Sequence, residues 1–197
     1  MEKIRARLKG KKNLYIHNDL SNAAFHFKNA IDKKLENDDR TGIAFYYLAC
    51  LVMTAFTFEA KINFLGAKLI QGWNEWQRFD EKVTQVFAYL KITPDWNKRP
   101  YSSIKSLQDF RNSVAHGKPV EIEYDEEVVV PQDELDRRVD LSAEWHKACA
   151  PDNVNAVHSD VEAIWKELLT RSKLSVFDTM TSGEGGITFI EKVVDVP

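Results

Sequence analysis

The chain has 197 residues, enough for one ordinary domain with a small appendage. Its hydrophobic share of 44% and charged share of 29% are those of a globular protein that can bury a core. A formal net charge of −3 excludes a polycation, so any binding of nucleic acid depends on a local basic patch.

Cysteine use and hydropathy predict a cytoplasmic protein. Cys50 and Cys149 lie among apolar or small neighbours, which is typical of reduced thiols in a core. The basic N-terminus is not followed by an apolar stretch, and this argues against a secretory signal. The apolar run over 43–58 is shorter than the ~20 residues that cross a bilayer, so it predicts a buried central helix and no membrane association.

Along the first part of the chain, a basic arm precedes four predicted helices. The arm, 1–13, has six lysines and arginines, and it is either a solvated tail or an extension that binds phosphate. Helical spacing of apolar residues predicts helices over 19–38, 41–70, 80–92 and 102–117. Gly117, followed closely by a proline, is expected to end the fourth helix.

The pattern changes after Gly117. Alternating apolar residues over 119–131 predict a small β-hairpin, and helical patterns return over 133–150 and 152–171. The tail, 172–197, contains two short strand-like runs around a glycine-rich turn. We therefore expect an all-α antiparallel helical bundle over 14–171, with the hairpin inserted at 119–131 and a β-like C-terminal tail.

Charge is distributed unevenly in the second half of the chain. Between 98 and 118, five basic side chains face one carboxylate, and between 121 and 144, ten carboxylates face two arginines. This layout indicates either two solvated faces or a basic cleft with an acidic wall. In the second case the candidates for binding RNA are Lys98, Arg99, Lys105 and Lys118.

The fourth predicted helix carries a polar group of three residues beside its apolar stripe. Arg111 lies at the edge of the stripe, and Asn112 and His116, four positions apart, share a face directed away from it. Arg111 offers a planar fork for phosphate oxygens, and His116 is a residue type that titrates near neutral pH. Arg111 needs either a carboxylate, for which Glu59 and Asp109 are candidates, or the phosphate of a ligand.

Two segments carry a resemblance to a known family. Residues 111–117 resemble the R-(polar)-x-x-x-H signature of the HEPN superfamily, named from higher eukaryotes and prokaryotes nucleotide-binding. Residues 58–65 resemble the second-helix segment of that family, in which a Glu and an Asn share one face, here Glu59 and Asn63. The resemblance implies an antiparallel bundle that forms a homodimer, with the motif helices of two chains in one cleft.

The resemblance also implies a chemistry. Many members with this motif cut RNA without metal or another cofactor, and often act as toxins or antiviral effectors, so an antitoxin or defence partner is expected. Carried over to this chain, His116 would be the general acid or base, Arg111 would hold the scissile phosphate, and Asn112 would orient the phosphate or His116. Glu59 and Asn63 would support the site from the second helix.

The sequence thus predicts a metal-independent endoribonuclease. Two alternatives stay open: a non-catalytic module for dimerisation or sensing, in which Arg111 pairs with Glu59, and a nucleotide-binding partner of a transferase. His146 and Cys149 have the spacing of two metal ligands, but no second pair accompanies them, so we predict no metal site.

Overall fold

In the computed structural model, residues 3–137 and 142–193 are described, and they form six helices and two long strands. The helices are α1 (Ile16–Glu36), α2 (Ile43–Leu69), α3 (Phe79–Tyr89), α4 (Ser102–His116), α5 (Glu144–Ala148) and α6 (Pro151–Ser172). The strands are β1 (Lys3–Asn13) and β2 (Ser182–Val193), and short 3-10 turns span Gln132–Arg137 and Val176–Thr179. Most of the described residues are helical.

Helix α2 lies at the centre of the core. Its buried side chains include Cys50, Leu51, Phe58, Ile62 and Leu65, and α1, α3, α4 and α6 all contact it. By length and composition Ile43–Leu69 could cross a membrane, yet 44% of its most apolar stretch is buried inside the protein. The neighbouring helices account for the apolar character of α2, as the sequence predicts for a central helix.

Helix α4 carries the motif residues and is anchored by its apolar stripe. Ile104, Leu107 and Phe110 are buried against the rest of the bundle. The helix ends at His116, because Gly117 adopts a left-handed conformation with φ of 46° and its N–H donates to the carbonyl of Ser113 at 3.2 Å. The predicted role of Gly117 as a C-cap is confirmed.

The expectation of an all-α fold is wrong, because the two ends of the chain form a two-stranded antiparallel sheet. The strands pair from Lys3 with Val193 to Asn13 with Ser182, with a register shift after Arg5. In β1, basic residues alternate with apolar or small ones, a strand pattern that the positive charges obscured. Its partner is so distant, with Arg5 and Glu191 186 positions apart, that no local turn signals the pairing.

The β-hairpin predicted at 119–131 is also wrong, because residues 117–131 contain no strand. The apolar alternation ends at Tyr124, and three carboxylates in succession, 125–127, would meet at the tip of the predicted hairpin, where like charges repel. Residues 128–130 are three consecutive valines, so the second predicted strand lacks the alternation of apolar and polar residues seen over 120–124. The segment instead has no regular secondary structure and is largely exposed.

The region after the predicted hairpin is less helical than expected. In place of a helix over 133–150 there are the 3-10 turn Gln132–Arg137 and the short α5, while 138–141 lie outside the described residues. Helix α6 matches the helix predicted over 152–171. Its apolar face packs on α2, with Val154, Val161 and Leu168 fully buried.

Candidate functional site

The candidate site is built around Glu59, a carboxylate of α2 that contacts two cations. Lys82 of α3 donates from Nζ to Glu59 Oε1 at 2.6 Å, and Arg111 of α4 donates from Nη2 to Glu59 Oε2 at 3.1 Å. Lys82 Nζ also donates to the carbonyl oxygen of Glu75 at 3.3 Å. One carboxylate therefore joins three helices.

This ion cluster, Glu59 with Lys82 and Arg111, has two positive charges and one negative charge. The side chain of Lys82 is 2% exposed, that of Glu59 is 23% exposed and that of Arg111 is 35% exposed. Because the cluster is only partly open to water, its unbalanced positive charge is weakly screened and favours a bound anion. The part of that charge that a ligand can reach is the Arg111 guanidinium.

The Arg111 guanidinium is held in a defined orientation. Its Nη1 donates to Asn112 Oδ1 at 3.0 Å, and its central carbon lies 5.7 Å from the ring centroid of Phe56. Glu59 and Asn112 occupy two of the five N–H donors of the guanidinium, which leaves donors for further acceptors. The sequence left Glu59, Asp109 and a ligand phosphate as possible partners of Arg111, and in the structure the partner is Glu59. The donors that stay unused can still bind phosphate oxygens.

Two spaces adjoin the cluster. A cavity of about 20 Å³ beside Glu59 and Arg111 has room for one water molecule and not for a substrate. A wider groove of about 530 Å³ runs between α3 and α4, and Trp96, Lys105 and Asn112 are among the residues that line it. Asn112 therefore contacts Arg111 and also lines the open groove.

His116 lies on the last turn of α4, where its side chain is exposed. One helical turn separates it from Asn112, so the two residues occupy the same side of the helix. Within the part of the chain that is described, its imidazole makes no hydrogen bond or ion pair. The ring is therefore accessible to a ligand.

The structure separates the basic residues predicted to bind RNA. Lys105 lines the α3–α4 groove together with Asn112. Lys118 lies past the end of α4, in a different groove of about 450 Å³. Lys98 is exposed and forms an ion pair with Asp95 at 3.4 Å. Lys105 is thus the residue of these three that the fold brings to the groove beside the ion cluster.

Arg99 is engaged in a contact between helices. Its Nε and Nη2 donate to the two carboxylate oxygens of Asp160 on α6 at 2.7 and 3.0 Å, and Nη2 also donates to the carbonyl of Ala156 at 3.1 Å. Hydrogen bonding to Asp160 raises the pKa of Arg99. Ser103 at the start of α4 donates to the same carboxylate. Arg99 therefore joins the start of α4 to α6, at the end of the helix away from His116.

For two residues near the site, Asn63 and Lys82, the structure differs from the sequence-based prediction. Asn63, predicted as support, is half-buried one turn after Glu59, and its Oδ1 has no hydrogen-bond partner among the described residues. Lys82 was not predicted, although it is central to the cluster. The signal was present, because Lys82 falls on the apolar stripe of α3 between Phe79 and Val86, and a cation on such a stripe indicates a buried ion pair.

A second polar cluster lies where α1, α2 and α6 meet. Lys61 is 3% exposed and donates to Glu162 Oε1 at 2.7 Å. The ring of His17 packs against Phe64 at 4.7 Å between centroids. Burial, with a smaller contribution from the Lys61 charge, lowers the pKa of His17 to about 4. His17 is therefore neutral at physiological pH and belongs to the core.

Comparison of the chain with protein-family models, with curated proteins and with solved structures found no match. Among residues 3–137 and 142–193, no group of three or more His, Cys, Asp or Glu side chains is placed to hold a metal ion.

Proposed function

We propose that the protein is a cytoplasmic endoribonuclease of the HEPN type, which acts on RNA as a homodimer and needs no metal. The observation that carries this proposal is the ion cluster, whose unbalanced positive charge is presented by Arg111. The same helix ends in His116, an exposed imidazole with no partner among the described residues. An anion-binding cation and a proton-transfer group on one helix are the groups that cleavage of a phosphodiester requires.

In the proposed reaction, Arg111 binds the non-bridging oxygens of the scissile phosphate. The neighbouring ribose 2′-oxygen forms a bond to phosphorus while the bond from phosphorus to the 5′-oxygen breaks. The 2′-hydroxyl loses a proton and the 5′-oxygen gains one, and His116 performs one of these transfers. The products are a 2′,3′-cyclic phosphate and a 5′-hydroxyl.

The surrounding residues support this chemistry by position. Glu59 and Asn112 hold the guanidinium plane, and Lys82 keeps Glu59 in place from the buried side. Lys105 and Trp96 line the adjoining groove, where a cation can contact phosphate and an indole can stack on a base. We propose that the RNA strand runs from this groove past Asn112 to Arg111.

The biological role follows from the resemblance of residues 111–117 to the HEPN signature. We propose a toxin or antiviral defence effector that an antitoxin or another defence partner restrains. The exposed motif helix is the surface that such a partner would cover, because covering it removes both Arg111 and His116 from RNA.

The test is cleavage of a panel of structured and single-stranded RNAs by the purified full chain in EDTA. We expect wild-type protein to release fragments with 2′,3′-cyclic phosphate ends, and His116→Ala and Arg111→Met to lower the rate by about 100-fold or more. His26→Ala and Arg40→Met, which change exposed residues away from α4, serve as controls and should retain full activity. Two results would contradict the proposal. One is RNA that stays intact in the presence of folded wild-type protein, and the other is cutting by both motif variants at the wild-type rate.

One observation favours a second candidate, a non-catalytic module for dimerisation or sensing. The ion pair between Arg111 and Glu59 links α4 to α2 and could serve the fold alone. For that role Arg111→Met should destabilise the fold clearly while RNA stays uncut by every form of the protein. For the ribonuclease, Arg111→Met should cost under about 1 kcal/mol, because Glu59 keeps its contact with Lys82.

A further inference from the structure

The sheet formed by the chain termini, here named the terminal ribbon (β1 and β2), is exposed on both faces. Every residue of β2 and all but one of β1 are exposed. At about 3.3 Å per residue, an 11-residue strand is roughly 36 Å long. An isolated two-stranded sheet is marginal in water, so the ribbon is a surface that gains stability when something binds it.

The two faces of the terminal ribbon have different chemistry. One carries apolar side chains, with Leu8 opposite Ile187 at exposures of 75% and 77%. The other carries basic residues of β1 at alternate positions from Lys3 to Lys11, together with Glu184 and Glu191 of β2, which lie opposite Lys11 and Arg5. Arg7, Lys9 and Lys11 form no ion pair in the described part of the chain. The outer edge of β1 has no strand partner within that part either. Its complement would be an extended strand that alternates acidic and apolar side chains.

Residues 120–125, here named the acidic segment, have that pattern. Glu121, Glu123 and Asp125 alternate with three exposed apolar residues, Val120, Ile122 and Tyr124. Among described residues, 118–130 make no backbone hydrogen bond to another backbone group. The acidic segment therefore offers a free main chain together with charges opposite to those of β1.

Within one chain the acidic segment and the terminal ribbon are not paired. Among the described strands β1 pairs with β2 alone, and 118–130 have no backbone partner in the described part of the chain. Both the β1 edge and the acidic segment are therefore open to a second copy of the chain.

We propose that the acidic segment of one copy adds as a third strand to the free edge of β1 in a second copy, so that two chains form a reciprocal dimer. The added strand supplies main-chain hydrogen bonds, places carboxylates beside Arg7, Lys9 and Lys11, and extends the apolar face. The basic edge repels a second β1, so the charges select the acidic strand over self-pairing. This contact would hold the homodimer of the proposed function together, and it does not depend on ribonuclease activity.

The test is the molar mass of the full chain by light scattering during size-exclusion chromatography, in low salt. Wild-type protein should have twice the chain mass. A segment variant (Glu121→Lys, Glu123→Lys and Asp125→Lys) and a ribbon variant (Arg7→Glu, Lys9→Glu and Lys11→Glu) should each have the mass of one chain, because both contacts of each homodimer become repulsive. A control with Glu36→Lys, Glu75→Lys and Glu81→Lys, exposed carboxylates of the bundle, should stay dimeric.

Mixing the two variants distinguishes the proposal from simple damage. In the mixed pair each ribbon again meets a segment of opposite charge, so equimolar mixing should restore the dimer mass. Circular dichroism establishes that each variant is folded before mixing. A monomeric wild type, dimeric single variants, or a mixture that stays monomeric would overturn the proposal. So would a ribbon variant that loses RNA binding while its mass stays that of the wild type, because the ribbon would then serve nucleic acid.

Discussion

Removing the carboxylate of Glu59 should reveal how the ion cluster is balanced. Glu59→Gln removes the negative charge opposite the ammonium of Lys82, which is 2% exposed, and leaves it with neutral acceptors alone, the new amide oxygen and the carbonyl of Glu75. Breaking a buried ion pair by removal of one partner costs about 3–5 kcal/mol. Arg111→Met should cost under about 1 kcal/mol, because Arg111 is 35% exposed and its loss leaves the Glu59–Lys82 pair intact.

The assay is urea unfolding followed by far-UV circular dichroism for both single variants and for the double variant Glu59→Gln with Lys82→Met. The double variant should recover most of the loss, because Met fills the space of the lysine stem without a buried charge. A loss below about 1 kcal/mol for Glu59→Gln would refute the reasoning. A double variant no more stable than Glu59→Gln alone would refute it as well, since Lys82 would not be the charge that Glu59 balances.

Three further predictions concern the core. The stability of wild-type protein should fall by about 3 kcal/mol more than that of His17→Phe between pH 6.5 and pH 4, because the pKa of buried His17 is lowered to about 4 and only the unfolded chain takes up the proton in that range. Gly66→Ala should lower stability by about 1–3 kcal/mol and change tryptophan fluorescence, because its Cβ would lie 2.2 Å from ring atoms of Trp73. Under native conditions a thiol reagent should label Cys149 before Cys50, since Cys50 is fully buried and burial raises its pKa to about 11.

Each of these predictions has a clear opposite. His26→Phe, at an exposed position of the same helix, should keep the pH dependence of the wild-type stability. If both variants lost that pH dependence, His17 would not be its cause. An unchanged fluorescence spectrum in Gly66→Ala would mean that Trp73 does not pack on that glycine. Labelling of Cys50 at a rate above that of global unfolding would mean that the α1–α2 contact opens locally.

The helical core could be predicted from the sequence because its signals are local. Apolar spacing set the bounds of α2 and α4 to within a few residues, and Gly117 marked the end of α4. The sheet could not be predicted in the same way, because its strands lie at opposite ends of the chain and their pairing depends on the packed bundle that brings the ends together. The hairpin at 119–131 was predicted from alternation alone, which cannot supply a partner strand.

The candidate site shows the same division. Arg111, Asn112 and His116 could be singled out from one short stretch, and Glu59 was one of two candidates for the partner of Arg111. Lys82 was missed although its place on the apolar stripe of α3 indicated a buried ion pair, and its partner, Glu59, depends on where α3 packs. The positions of Lys98, Arg99 and Lys118 relative to the groove likewise depend on tertiary structure.

The most direct measurement of the central claim is cleavage of one RNA substrate and of the same RNA with a 2′-O-methyl group at the cut site. A ribonuclease of the proposed type should cut the unmodified RNA in EDTA and leave a 2′,3′-cyclic phosphate, detected by mass spectrometry. The modified site should stay uncut, and His116→Ala should be inactive. Cutting of the 2′-O-methyl RNA at the same site, or full activity of His116→Ala, would contradict it.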